Sequence, residues 1–207
     1  TGGSGGHVIP ATIFYEHLKK DFEVSVSSDK RGYRFLNSAK YNIEIIDTPK
    51  LSKNLFLLLF QIFVIIYLTI KSFFLLKSKK IDILISTGGY MSLPLCIASK
   101  VCNVKIFLFE PNMVLGRANR LFLRFCEKIF CYSDKIKNFP DNFKNKILIT
   151  ESLLRKEFYS LNPSKNFDGE INLLIIGGSQ GAELFDFAIN DTIIKLSKKY
   201  EINIFQQ

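Results

Sequence analysis

Short runs of β-branched and aromatic residues alternate with stretches whose apolar positions recur every three or four residues along most of this chain. The alternation predicts strands over residues 22–27, 43–47, 81–86, 104–109, 128–132, 146–149, 173–176 and 202–205, with helices between them. Strands separated by helices make a parallel sheet covered by helices, an α/β architecture. The runs are short and apolar on both faces, as strands buried inside such a sheet are. Gly or polar residues follow several of them: Thr87-Gly88-Gly89-Tyr90, Glu110-Pro111-Asn112, Ser133-Asp134 and Gly177-Gly178-Ser179-Gln180-Gly181. In an open parallel sheet, that carboxyl edge is where ligands bind.

A polar stretch over residues 161–169 interrupts the rhythm before a new strand begins. It divides the chain into a first domain at 1–160, a linker at 161–171 and the opening of a second domain at 172–207. The first residue already lies inside a glycine loop and the last ones lie among the second domain's early strands. The expectation is therefore a fragment, missing both ends and inactive by itself.

One segment departs from the alternation. Residues 55–70 carry no charge, and the apolar run resumes after Lys71 as Ser72-Phe73-Phe74-Leu75-Leu76. By length it borders on a membrane span, a buried crossover helix has the same composition, and a third reading is a helix lying in the headgroup region. The flanking Lys50, Lys53, Lys77, Lys79 and Lys80 favour the interfacial helix, held by anionic lipid. A single span would also place the first glycine loop and the strand at 81–86 on opposite sides of a bilayer, although one sheet needs both.

Net charge changes the picture of partners. At +9 over 207 residues, the chain favours phosphorylated ligands or an anionic membrane surface. Nucleic acid is excluded as a partner, because the lysines are dispersed and no recognition-helix, aromatic RNA-binding or zinc-finger pattern occurs. Cys96, Cys102, Cys126 and Cys131 stand singly, without a C-x-x-C pair or nearby His, and read as buried free thiols on the cytosolic side.

Candidate chemistry concentrates in two glycine loops. Gly2-Gly3-Ser4-Gly5-Gly6-His7 leads into a helical pattern, and Gly177-Gly178-Ser179-Gln180-Gly181-Ala182 follows a strand and opens another helix. Glycines admit a ligand close to the backbone, and free N–H groups at a helix start attract phosphate. Neither a dinucleotide fingerprint nor a triphosphate P-loop is formed by the first loop, whose Gly3 count meets Val8 where glycine is required. No D-x-D pair is present, so helix dipoles and cationic side chains would have to neutralise a departing diphosphate.

The runs GGSGGHVIPA at 2–11, TGGYMSLP at 87–94, FEPN at 109–112 followed by GRANRLFLRF, and GGSQGA at 177–182 together resemble glycosyltransferase family 28, specifically its peptidoglycan N-acetylglucosaminyltransferases. That resemblance implies a GT-B fold, two Rossmann-like parallel-sheet domains, of which the second is incomplete here. It also implies inverting transfer of N-acetylglucosamine from UDP-N-acetylglucosamine to the 4-hydroxyl of muramyl-pentapeptide on undecaprenyl pyrophosphate. The setting would be the cytoplasmic face of the bacterial inner membrane, with the enzyme bound peripherally, and no metal or other cofactor is implied.

Carried over by position, Ser4, Gly5, Gly6, Asn112, Arg155, Ser179 and Gln180 fall on the donor side, while His7, Tyr90 and Asn112 fall on the acceptor side. His7 and Glu110 are the candidate bases, since either could take the acceptor hydroxyl's proton near neutral pH. Their other readings stay open: His7 as a ligand of the lipid pyrophosphate or a residue packed on its loop, Glu110 as the cap of the following helix. This chain departs from the family at Glu151-Ser152-Leu153, where Gly-Asn-Pro usually precedes the Arg, at Phe109 and Pro111 within a family His-Glu-Gln-Asn, and at Asp186, where Asn is usual. Two rival functions accompany the first: a related membrane-surface transferase with another lipid acceptor, and a non-catalytic acceptor-binding half of a split transferase.

Overall fold

The structure is a computed structural model and describes residues 1–160, 171–176 and 189–206. Two compact units emerge, Thr1–Arg155 and Lys156–Gln207. In the first, helix α1 (Gly5–Leu18) is followed by β1 (Val26–Ser28), α2 (Lys30–Tyr33), β2 (Ile43–Ile45), α3 (Leu55–Ser78) and β3 (Ile83–Ser86). Then come α4 (Ser92–Cys102), β4 (Lys105–Glu110), α5 (Arg117–Phe122), β5 (Lys128–Cys131), a 3₁₀ turn (Asp141–Lys146) and β6 (Ile147–Ile149). The second unit holds α6 (Lys156–Tyr159), β7 (Ile171–Ile175), α7 (Asn190–Ser197) and β8 (Ile202–Gln206). The expected linker at 161–171 falls almost wholly outside the described residues.

All pairing is parallel. Strands β3-β4-β5-β6 form one sheet in sequence order, β1-β2 form a second and β7-β8 a third. The parallel α/β class is as expected, and within the first unit β1-β2 and β3-β4-β5-β6 pair separately. Thr1 lies between their carboxyl ends. Its nitrogen donates to Ser27 O at 2.8 Å on β1, and its hydroxyl accepts from Thr87 Oγ1 at 2.9 Å just past β3.

Every strand expected from the sequence exists where the structure describes it, with ends shifted by up to four residues. The largest shift is at β1, which was expected from residue 22 and begins at Val26. The physical cause is the end of α1, whose Leu18 carbonyl accepts from both Asp21 N and Phe22 N at 3.0 Å, so these residues close the helix and leave the Phe22 side chain exposed.

The four-stranded sheet is covered on both faces. On β4, Ile106 and Leu108 point into a core with Leu93 and Cys96 of α4, Phe122 of α5 and Ile129 of β5. Phe109, on the alternate face, meets Phe14 of α1 edge-on at 5.3 Å, and Phe107 stacks on Phe130 at 5.9 Å. The period of two along a strand thus seats α1 on one face and α4 with α5 on the other. A second core joins Ile46, just past β2, with Leu68 and Leu76 of α3 and with Leu95 and Ala98 of α4.

Helix α3 is 24 residues long, roughly 36 Å at 1.5 Å per residue. Asn54 caps it, its side chain accepting from Phe56 N and Leu57 N. It is not the buried crossover helix that its composition allows. Leu68, Ser72 and Leu76 are buried, while Phe56, Phe60, Phe63, Tyr67, Ile70 and Phe74 are exposed, Phe56 to 84% and Phe63 to 70%. Those six recur at intervals of four and three residues, which puts them on one stripe along the helix.

Candidate active site at the strand ends

Local sequence explains why the head of α1 and the ends of β3 and β4 come together. Gly88 and Gly89 have φ of +86° and +84°, a region where a side chain is strained, so this pair can turn the chain sharply after β3. The turn passes close beneath α1: a methyl group on Gly88 would sit 3.5 Å from His7 Cε1 and 3.4 Å from Asn119 Nδ2. On the other side Glu110 closes β4. His7, Thr87, Gly88, Asn119, Glu110 and Asn112 are thus linked in one chain of contacts.

His7 Nδ1 lies 2.6 Å from the Thr87 carbonyl oxygen. A carbonyl only accepts, so Nδ1 carries the proton. In the neutral ring Nε2 then holds a lone pair, and among the described residues nothing bonds to it. The arrangement leaves a half-buried imidazole oriented by one nitrogen and available as a base through the other.

Glu110 has the opposite character. It is 2% exposed, and both oxygens are occupied: Oε1 by Asn112 N at 3.3 Å and Asn112 Nδ2 at 2.9 Å, Oε2 by Gly116 N at 2.7 Å and Asn119 Nδ2 at 3.0 Å. Four donors satisfy a buried carboxylate and fix the loop between β4 and α5. Asn119 also donates from Nδ2 to Phe109 O at 3.0 Å, while its buried Oδ1 has no donor among the described residues. That open acceptor faces Gly88.

The first glycine loop wraps the head of α1. Ser4 N donates to Gly2 O, and Ser4 O accepts from His7 N at 3.1 Å and Val8 N at 3.2 Å. Helix geometry leaves the amides of Gly5 and Gly6 without an intrahelical acceptor, at the positive end of a 14-residue helix. Beneath the loop, Asp29 accepts from Gly3 N at 2.8 Å, Gly32 N at 2.7 Å and Arg31 Nε at 2.8 Å. Burial raises the carboxyl pKa, but the bonds from Gly3, Gly32 and Arg31 outweigh it and hold Asp29 below the usual carboxylate value.

Of the residues singled out from the sequence, Ser4, Gly5, Gly6, His7, Glu110 and Asn112 lie in this arrangement. Tyr90 is half-buried and packs against the core of α4 and β4. Arg155 is exposed beyond β6, with no bond to these loops among the described residues. Ser179 and Gln180 lie outside the described residues. No group of three His, Cys, Asp or Glu side chains able to hold a cation occurs among the described residues. Asp29, Thr87 and Asn119 were not singled out beforehand; the faint signals were an Asp at the end of a strand and an Asn within the run after FEPN.

The sequence profile of the glycosyltransferase family 28 N-terminal domain matches residues 1–131, more than half of the chain. The chain belongs to this family. It is 54% identical over all 207 residues to the UDP-N-acetylglucosamine--N-acetylmuramyl-(pentapeptide) pyrophosphoryl-undecaprenol N-acetylglucosamine transferase of Pelagibacter ubique, covering 58% of that protein. It is 32% identical to the protein of the same name from Rickettsia felis, over all of this chain and 60% of the relative. This family 28 chain therefore spans less than two thirds of the length of these relatives.

Among solved structures, Acinetobacter baumannii MurG superposes with a TM-score of 0.68 at 26% identity, over all of this chain and 57% of that one. A UDP-GlcNAc 2-epimerase from Neisseria meningitidis, at 15% identity and a TM-score of 0.64, shares the fold alone. The family 28 chain is thus an α/β protein of the GT-B type, covering part of the full-length architecture.

Proposed function

We propose that this family 28 chain belongs to an inverting transferase that moves N-acetylglucosamine from UDP-N-acetylglucosamine to the 4-hydroxyl of muramyl-pentapeptide on undecaprenyl pyrophosphate, making a peptidoglycan precursor. The observation that carries the reading is His7, whose Nδ1–H is committed to the Thr87 carbonyl while no described residue bonds Nε2, on the side of the ring that faces Gly88 and Gly89. Nε2 takes the proton of the acceptor hydroxyl as its oxygen bonds to the anomeric carbon, and the bond to UDP breaks on the opposite face. UDP leaves with the bonding electron pair, and the anomeric configuration inverts. The 54% identity to the Pelagibacter transferase supports the choice of donor and acceptor.

Gly5 and Gly6 offer amides and Ser4 its hydroxyl to a diphosphate at the head of α1, and Asn112, Arg155, Ser179 and Gln180 are the other donor-side residues of this reading. Tyr90 and Asn112 belong to the acceptor side. Glu110 was the other candidate base; with four donors on its carboxylate, it acts by holding Asn112 and Asn119 in place, and His7 is the base.

The same reading places the enzyme peripherally on the cytoplasmic face of the bacterial inner membrane. The aromatic stripe of α3 supplies a face for the lipid interface, and lysines flank it. Its opposite face packs in the core with α4, which fits a helix lying on the surface better than one crossing it.

The test is transfer itself. The intact protein, given UDP-N-acetylglucosamine and the lipid-linked acceptor, should release UDP and form a β-linked disaccharide lipid. His7→Ala should lower kcat by about 100-fold or more, the contribution typical of a general base. An unaltered rate in that variant would remove His7 as the base, and turnover only with a different lipid acceptor would correct the substrate.

A further inference from the structure

The buried carboxylate under the glycine loop has no part in the reaction just described. Asp29 is fully buried at the end of β1, and each of its oxygens is engaged. Oδ1 accepts from Gly3 N and Gly32 N; Oδ2 accepts from Arg31, whose Nη2 lies 2.7 Å away. No oxygen remains for a ligand, so Asp29 can act only through what it holds.

What it holds is one edge of the loop. A methyl group on Gly2 would sit 2.7 Å from Asp29 Oδ1 and 2.6 Å from Met91 Cγ, and one on Gly32 would sit 2.8 Å from Gly2 Cα and 2.4 Å from Ser28 Oγ. Backbone meets backbone there with no room for a side chain. Gly3 shows the contrary on its other side: its φ is +82°, and a methyl group there would have nothing within 4 Å. One edge of the loop is clamped to β1 and α2, and the other faces open space.

We infer that Asp29, with Gly32 beside it, is the positioning pair of the glycine loop, fixing Gly3 so that the free amides at the head of α1 converge on the diphosphate of a substrate. The inference rests on the proposed transfer reaction. Two substrates there carry a diphosphate, the nucleotide sugar and the lipid-linked acceptor, and the loop's geometry suits the group common to both. Because the contact is through the loop, loss of the clamp raises a KM and leaves the His7–Thr87 bond, and with it most of kcat, in place.

The experiment measures both KM values in Asp29→Ala, Asp29→Asn and Gly32→Ala of the intact protein. Ile129→Ala, a truncation in the separate core around β5, serves as the control for lost stability. Asp29→Ala should raise one KM by about tenfold to hundredfold, the size expected when a charge-assisted hydrogen bond is lost. Asp29→Asn should fall between it and wild type, since an amide oxygen still accepts from Gly3. Gly32→Ala should reproduce the effect by displacing Gly2, and Ile129→Ala should lower the melting temperature with both KM values unchanged. The substrate whose KM moves identifies which diphosphate the loop holds. Hydrogen exchange of amides 2–8 gives a readout independent of turnover: added UDP or inorganic pyrophosphate should protect them in wild type at concentrations at least tenfold lower than in the Asp29 variants. A wild type that transfers nothing sinks the reaction, and the exchange measurement still decides the clamp. Both KM values within twofold of wild type in Asp29→Ala, or equal protection of the loop in wild type and variants, would overturn the inference.

Discussion

At the scale of single residues, the site turns on two carboxylates and an imidazole with different tasks. Glu110 takes four donors, and replacing it by Gln turns one acceptor into a donor pointed at Gly116 N or an Asn side chain. Such a change leaves a buried donor facing a donor, and Glu110→Gln should destabilise the first unit by about 2–4 kcal/mol. Chemical denaturation read by intrinsic fluorescence of the tyrosines checks this, and a variant as stable as wild type would show the network to be dispensable. His7, Glu110 and Asn112 were legible beforehand because each sits beside a glycine or proline that marks a strand end or a helix start. Asp29 and Asn119 were not, for their value lies in partners brought to them by the fold: Gly3 is 26 residues from Asp29, and Asn119 is nine from Glu110. The tautomer of His7 was equally out of reach, since it depends on a carbonyl 80 residues away.

At the scale of elements, strands were found from their apolar runs while their ends moved, because an end is decided by hydrogen bonds to neighbouring turns and not by hydrophobicity. Helix α3 was legible in place and length, but not in burial, since a sequence apolar all round does not say which face packs. The answer comes from α4, which covers Leu68 and Leu76 and leaves the opposite aromatic stripe to solvent. Phe60 and Phe63 sit in the middle of that stripe. Exposed side chains contribute little to folding, so Phe60→Ser with Phe63→Ser should change stability by no more than ~0.5 kcal/mol for each substitution. If the stripe enters the lipid interface, each lost ring removes roughly 1.5–3 kcal/mol of apolar transfer, and binding to vesicles should fall by at least tenfold. Co-sedimentation with lipid vesicles, beside thermal melts, separates the two effects; unchanged sedimentation would assign the stripe to some other contact.

At the scale of the whole molecule, the parallel α/β class was readable from the alternation of apolar runs with helical patterns, and the family from four glycine- and asparagine-bearing runs in a fixed order. The net charge of +9 belongs to this scale too, since it acts beyond any one contact. Part of the positive charge near α3 is already spent: Lys79 pairs with Glu44 at 2.8 Å. Lys50, Lys53, Lys71, Lys77 and Lys80 have no acidic partner among the described residues and remain to meet anionic headgroups. A lysine near such a surface contributes about 1 kcal/mol, an attraction that falls off within a Debye length of ~8 Å at physiological salt. The aromatic stripe, by contrast, acts by apolar transfer, which simple salt hardly weakens. Binding should therefore have two separable parts. On vesicles rich in anionic lipid, raising salt from about 0.1 M to about 0.5 M should weaken binding by roughly tenfold, as screening removes the lysine contribution. The remainder should equal the binding measured on neutral vesicles and should fall by at least tenfold in the Phe60, Phe63 double variant. Alkaline carbonate should then strip the protein from native membranes. Protein that resists carbonate, with its two flanks of α3 cut by protease from opposite sides, would instead make α3 a span, and equal binding to neutral and anionic vesicles at every salt concentration would remove the lysines from the account.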